Sequence, residues 1–283
     1  MNSPHATFGQ EFYPYDSIRA LRLAEKAKDA DRRGLLEQIS ATLPHASVNT
    51  RHRVAGKIAQ RYLGPDSGPF VRLVARQKQT PVQIELLFWQ VCQTDTLVGA
   101  LARELFHPVC VAGRVPEGFD AATFAARNGA QLFGGDDVTP QITRAFLRDY
   151  ARERWNFTQL STLDRALRIL QAAGLVAQVR LTDLRGHPRA YRLCHHDVSP
   201  LTFVWALYDE FLPSAQQSGG AMLAPGVLAV SDCARTLLLS PAQVTAHCEA
   251  ARRRGFLSGQ GDVLRLTFGN LDALADALLS RAI

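Results

Sequence analysis

Residues 161–193 read STLDRALRILQAAGLVAQVRLTDLRGHPRAYRL, and this run decides the fold. Leu163, Leu167 and Leu170 recur at three- and four-residue steps, which lines one face of a helix with apolar side chains. Ser161 is placed to cap that helix, and Gly174 to stop it in a left-handed conformation. Leu175 to Leu181 then alternates approximately as a strand. Asp183 to Pro188 supplies turn residues, and Arg189 to Leu193 alternates again as a returning strand. Upstream, Thr139-Pro140 is expected to open another helix that reaches about Arg152. Helix, turn, helix and β-hairpin is the order of a winged helix.

Outward from this module the chain reads as helices. Towards the N-terminus, helices are expected over Ser17–Ala30 and Arg32–Leu43. A third follows from a cap at Asn49 or Thr50 to Leu63, stopped by Gly64-Pro65. Pro81 suits the first turn of a long helix. Along it Ile84, Leu87, Phe88, Val91, Val98, Leu101 and Leu105 form one apolar stripe, and Pro108 is expected to end it. A short helix is expected over Phe119–Arg127, and Gly134-Gly135-Asp136-Asp137 marks a turn and domain boundary.

Towards the C-terminus the theme repeats. A helix is expected over Leu201–Leu212, then a polar loop from Pro213 to Pro225. Ser231 or Asp232 starts a short helix ending near Leu239, and Ser240-Pro241 opens another through Arg254. Gly255, a turn at Gly259–Asp262 and the strand-like Val263–Phe268 follow, with a final helix over Leu271–Arg281. "LQAAGLVAQVRL" and "ARRRGFLSGQGDVLRL" share the order helix, Gly, hairpin, so the second module is read as a structural repeat. The predicted fold is therefore mainly α: an N-terminal helical bundle (1–135) followed by two winged-helix-like modules with small β-hairpins (136–198 and 199–283).

Composition narrows the class. A hydrophobic fraction of 47% and a charged fraction of 20% match a globular protein rather than a disordered one. No stretch reaches the apolar length of a membrane span, and no secretory signal is read at the N-terminus. The five cysteines are scattered and form no CxxC pair, which points to a reducing cytoplasm and away from a disulfide framework or zinc module.

Charge distribution points to a partner. The net charge is +6. Gln141 to Arg192 holds ten Arg and four acidic residues (Asp149, Glu153, Asp164, Asp183), so this segment alone carries +6 and the rest sums to zero. A basic patch confined to one small module is what a polyanion binder presents. In the second helix of a helix-turn-helix, which enters the DNA major groove, the inward leucines leave Thr162, Arg165 and Arg168 facing solvent. The hairpin tip adds Arg185, His187 and Arg189, and Arg144, Arg148 and Arg154 flank the site. Arg51, Arg53, Lys57 and Arg61 give an N-terminal helix a positive face, an auxiliary nucleic-acid surface or a merely solvated one. In the second module Gln243, His247 and Arg252–Arg254 line a helix, but its wing carries Asp262.

Enzyme signals are weak. Cys194-His195-His196-Asp197 lacks a second ligand pair for a metal. Gly134–Asp137 resembles a polymerase-type acidic turn but has no strands around it. No GxxxxGK[ST], GxSxG or HExxH occurs. Phe88-Trp89 and Phe203–Tyr208 have helical spacing, as core or a domain interface would. No cofactor and no catalytic residue is expected.

The stretches NTRHRVAGKIAQRYLG (49–64), TPVQIELLFWQVCQTDTLVGALARELFHP (80–108) and STLDRALRILQAAGLV (161–176), in this order, resemble the BrxA family of bacteriophage-exclusion (BREX) defence systems. The resemblance covers roughly Ile18 to Leu193 and rests on pattern and element order, not on a catalytic motif. It implies a small, mostly helical, non-enzymatic protein that binds double-stranded DNA. Such a protein acts beside a methyltransferase, an ATPase and a phosphatase-like protein in antiphage defence. A winged-helix transcriptional regulator and a protein-interaction scaffold within a larger complex stand as the alternatives.

Overall fold

Prolines in first turns, polar caps and left-handed stops mark the ends of several elements. The computed structural model describes residues 12–27, 31–128, 140–180, 189–194, 197–218, 222–259 and 263–281. The first elements are α1 (Pro14–Lys26), α2 (Arg32–Thr42), α3 (Val48–Tyr62), α4 (Gly68–Arg76), α5 (Thr80–Thr94) and α6 (Thr96–Ala100). A π-helical segment (Leu101–Val111) and α7 (Ala121–Asn128) follow. Next come β1 (Gln141–Thr143), α8 (Arg144–Trp155), α9 (Leu160–Ala172), β2 (Val176–Arg180) and β3 (Arg189–Leu193). The remainder is α10 (Pro200–Ser218), β4 (Met222–Leu223), α11 (Pro225–Leu228), α12 (Asp232–Thr236), α13 (Pro241–Arg253), β5 (Leu257–Ser258), β6 (Leu264–Leu266) and α14 (Leu271–Ser280). The chain is mainly helical, with two small antiparallel sheets among the described residues. No described helix is long and apolar enough to cross a membrane.

The elements gather into two units, each built from separated stretches of chain. One contains Asp95–Asp197 and Ala229–Ala242. Its sheet has the order β1-β3-β2, with α8 and α9 lying between β1 and β2 in sequence. Ile142 stands opposite Tyr191 and both are buried. The π-helical segment packs on β1, β3 and α12, and α6 packs on α9. The apolar stripe of α9 is buried as its spacing requires: Leu163, Ala166, Leu167, Ile169 and Leu170.

The other unit contains Tyr13–Thr94, Val198–Leu228 and Gln243–Ile283. α1 packs on α4 and α2, α4 on α14, and α10 on α5 and α14. Phe88, Trp89, Phe203, Trp205 and Tyr208 are buried in its core. Some polar groups carried inward find partners: Trp89 Nε1 donates to Asp209 Oδ2 at 2.8 Å. Glu85 of α5 accepts from the Ser199 backbone N–H at 3.0 Å and the Thr202 hydroxyl at 2.7 Å, which caps α10 from outside it. The second sheet has the order β4-β6-β5, again with the last strand central.

Several local expectations are corrected. The long helix read from Pro81 to Pro108 divides at Asp95, whose carboxylate caps α6 through the Val98 N–H. Pro108 does not end the run but lies inside the π-helical segment. A proline has no N–H to give, which in this i→i−5 ladder leaves the Arg103 carbonyl without its helical donor. Arg235 Nη2 supplies that carbonyl at 2.9 Å, and the Tyr150 hydroxyl donates to the next one, Glu104 O, at 3.4 Å.

Pro140 does not open the next helix, and Thr139 lies outside the described residues. Gln141–Thr143 pairs with β3 as a strand, and α8 starts after Thr143, whose Oγ1 accepts from the Phe146 N–H. α8 runs on to Trp155 and stops at Asn156, which has a left-handed φ of 50°. α9 begins at Leu160, so Ser161 is an exposed residue within it and not its cap. The loop expected over Pro213–Pro225 is in its first part the end of α10, which runs to Ser218 with Pro213 exposed, and Met222–Leu223 is a strand.

Candidate nucleic-acid interface

α9 carries its polar stripe opposite the buried one. Arg165 and Arg168 are exposed, and among the described residues no carboxylate pairs with either. Thr162 is half-buried and its hydroxyl donates to Gln159 Oε1 at 3.3 Å. Gly174 follows α9 with φ of 75° and lets the chain turn into β2.

The β2–β3 pair sets further cations by register. Arg180 stands opposite Arg189, and Gln178 opposite Tyr191. Residues two apart on a strand share a face, so Arg180, Arg189 and Tyr191 lie on one side of the sheet. Burial pushes the Tyr191 phenol above its ordinary range. The charge of Asp164 adds to that shift, and those of Arg144, Arg189 and Arg168 oppose it. All four charged groups therefore lie within electrostatic reach of one ring, which gathers arginines from α8, α9 and β3 around it.

The arginines divide into engaged and unengaged sets. Arg144 donates to both carboxylate oxygens of Asp164, from Nε at 3.0 Å and from Nη2, tying the first turn of α8 to α9. Arg152 pairs with Asp149 at 3.3 Å, Arg154 with Glu117 at 2.7 Å, and Arg127 with Glu153 at 2.7 Å. Arg148 is exposed and lines a concavity of about 180 Å³ with Asp149, Arg152, Phe157, Thr158 and Leu160. Arg165, Arg168, Arg180, Arg189 and Arg148 pair with no carboxylate among the described residues, so their charge is directed to solvent. Arg185 and His187, with the rest of the expected hairpin tip, lie outside the described residues.

The other expected surfaces are less uniform. On α3, Arg51 is half-buried and donates to His45 O at 2.8 Å and Ala46 O at 3.4 Å, bracing the turn before its own helix. Arg53 is exposed and Lys57 half-buried, while Arg61 is buried and not part of an outward face. On α13, His247 stacks on Phe203 with ring centroids 5.2 Å apart, and Arg252, Arg253 and Arg254 are exposed. Asp262 lies outside the described residues, as do His195 and His196.

Arg180 was not among the residues singled out from the sequence. Its signal was present in the alternation: counting by two from Arg180 along β2 predicts its face, but only the pairing register shows that Arg189 shares it. No family model, curated protein or solved structure matches the chain.

Proposed function

We propose that this chain is a non-enzymatic protein that binds double-stranded DNA through a winged helix formed by residues 140–193. One observation carries the reading. Arg165 and Arg168 stand exposed on α9, opposite its buried leucine stripe, with no carboxylate paired to them among the described residues. The strand order supports it, because a first short strand, two helices and an antiparallel pair that returns to that strand are the parts of a helix-turn-helix with a wing. In such a module the second helix lies in the major groove, where a guanidinium grips a guanine edge or a phosphate in two-pronged fashion. Arg180 and Arg189 at the base of the wing, with Arg148 on α8, are suited to the flanking backbone.

The resemblance to the BrxA family extends the proposal. The chain then serves as a DNA-binding accessory of a bacterial antiphage defence system, working beside methyltransferase and ATPase subunits.

The test is a fluorescence-anisotropy titration of a labelled duplex at two salt concentrations. Binding is expected to be submicromolar at low salt and to weaken steeply, with a log–log slope of about −0.9 per phosphate contact. An Arg165→Glu/Arg168→Glu variant is expected to weaken binding to every duplex and to flatten the slope by about one unit per lost phosphate contact. A folded double variant that binds as tightly as the native chain rejects this interface.

A further inference from the structure

α1 bears a second cationic surface, in the unit that does not contain α9. Tyr15, Arg19, Arg22 and Lys26 follow one another at steps of four, three and four residues, which places them on one stripe of the helix. Eleven residues of rise make this stripe about 16 Å long. It forms one wall of a groove of about 410 Å³, completed by Ile18, Leu23 and Thr80.

Among the described residues the charge on the stripe is held in place and pairs with no carboxylate. Arg19 donates to Thr42 O at 2.9 Å and Arg22 to Gln83 Oε1 at 3.5 Å, both neutral acceptors. The two acidic residues of α1 are engaged elsewhere: Asp16 with His45 at 3.1 Å and Glu25 with Arg76 at 2.5 Å. Thr80 opens the fifteen-residue α5, so the positive end of that helix contributes to the same groove. At one end of the stripe stands Tyr15, 69% exposed and the most exposed large apolar side chain described. An open aromatic ring next to a row of cations matches a planar base joined to a chain of phosphates. The groove volume lies in the range of small-molecule sites.

We propose that this groove binds a nucleoside polyphosphate, with the base on Tyr15 and the phosphates on Arg19, Arg22 and Lys26. The site is built from a different unit than the duplex-binding surface and does not depend on that reading. Isothermal titration of the full chain with ATP, pyrophosphate and adenosine tests it. ATP is expected to bind saturably, pyrophosphate more weakly and adenosine least. Arg19→Glu/Arg22→Glu is expected to weaken ATP and pyrophosphate at least tenfold. Tyr15→Ala weakens ATP severalfold and leaves pyrophosphate unchanged, while Tyr15→Phe binds ATP as the native chain does. Arg165→Glu/Arg168→Glu leaves ATP affinity intact.

Absence of saturable ATP binding by the native chain overturns the proposal, as does full ATP affinity in a folded Arg19/Arg22 variant. Tyr15→Ala binding ATP as tightly as the native chain overturns the assignment of the base. Displacement of ATP by duplex DNA from the Arg165/Arg168 variant shows the groove to be a nucleic-acid track and overturns the small-ligand assignment.

Discussion

Arg180 and Arg189 face each other directly across the β2–β3 pair, both exposed and on the same side of the sheet. Two like charges in opposed positions destabilise an antiparallel pair. Among the described residues no carboxylate offsets them. A strand pair that keeps such a contact gives up stability for a local positive field, which is useful when the partner is a polyanion. Arg180→Gln is therefore expected to raise the melting temperature by about 1–2 °C and to weaken duplex binding on all sequences. Scanning calorimetry with anisotropy checks both; a lower melting temperature together with tighter binding contradicts the account.

The Arg144–Asp164 pair has the opposite character. It is part-buried, two-pronged and joins two helices, so it contributes to the fold while neutralising one arginine of the patch. Arg144 is more than a third exposed, so solvent screening keeps its contribution modest. Asp164→Asn is expected to lower unfolding stability by no more than about 1 kcal/mol while tightening duplex binding, since a negative charge leaves the α9 surface. Arg144→Ala should show a similar stability loss but weaker duplex binding, since it leaves the Asp164 charge on the α9 surface uncompensated. Chemical denaturation beside duplex titration distinguishes the two.

Glu85 makes a pH-dependent contribution. Burial raises its pKa above the ordinary 4.5, while the bonds from Thr202 and Ser199 pull it back in part. The folded chain therefore holds this proton more tightly than the unfolded chain. The resulting stability is fully present below the unfolded value and is lost as pH rises through the raised one. Glu85→Gln keeps a neutral acceptor and escapes that loss. Its stability relative to the native chain is expected to improve between about pH 5 and about pH 8, as read by urea unfolding. Glu85→Ala, which strands the Ser199 and Thr202 donors, should destabilise by about 1–3 kcal/mol at both.

Two glycines separate backbone strain from steric clash. Gly174 has φ of 75° and open space where a Cβ would sit. Gly174→Ala is expected to lower stability by about 1 kcal/mol through strain alone. At Gly259, with φ of 119°, an added Cβ would lie 2.0 Å from the Val263 carbonyl oxygen. Gly259→Ala forces the backbone leading into β6 to move and should cost about 3 kcal/mol or more. Equal effects in thermal melts would refute the distinction.

Much of the local structure was legible because its causes are local. The leucine spacing of α9, the stop at Gly174, the return strand Arg189–Leu193 and the cap at Ser231 depend on neighbours a few residues away. What escaped reading was non-local. Gln141–Thr143 is too short to announce itself as a strand and exists because β3 offers it an edge. Pro108 was read as a stop because a proline removes a helical donor. Here Arg235, 127 residues later, supplies the carbonyl that Pro108 leaves open, and the run continues. The α1 stripe was legible in principle, since its spacing is helical, but a row of cations gains meaning only beside the wall supplied by Thr80.

The amino-acid order by itself determined which side chains turn inward on each helix and that the positive charge concentrates between residues 141 and 192. Those properties follow from periodicity and composition, which no tertiary contact alters. Tertiary structure alone decided which of those arginines stay available. Arg144 and Arg154 meet carboxylates brought beside them by folding, whereas Arg165, Arg168, Arg180 and Arg189 meet none among the described residues. A charge is fixed by its residue, but its neutralisation depends on distance in space, and distance in space is set only once the chain has folded.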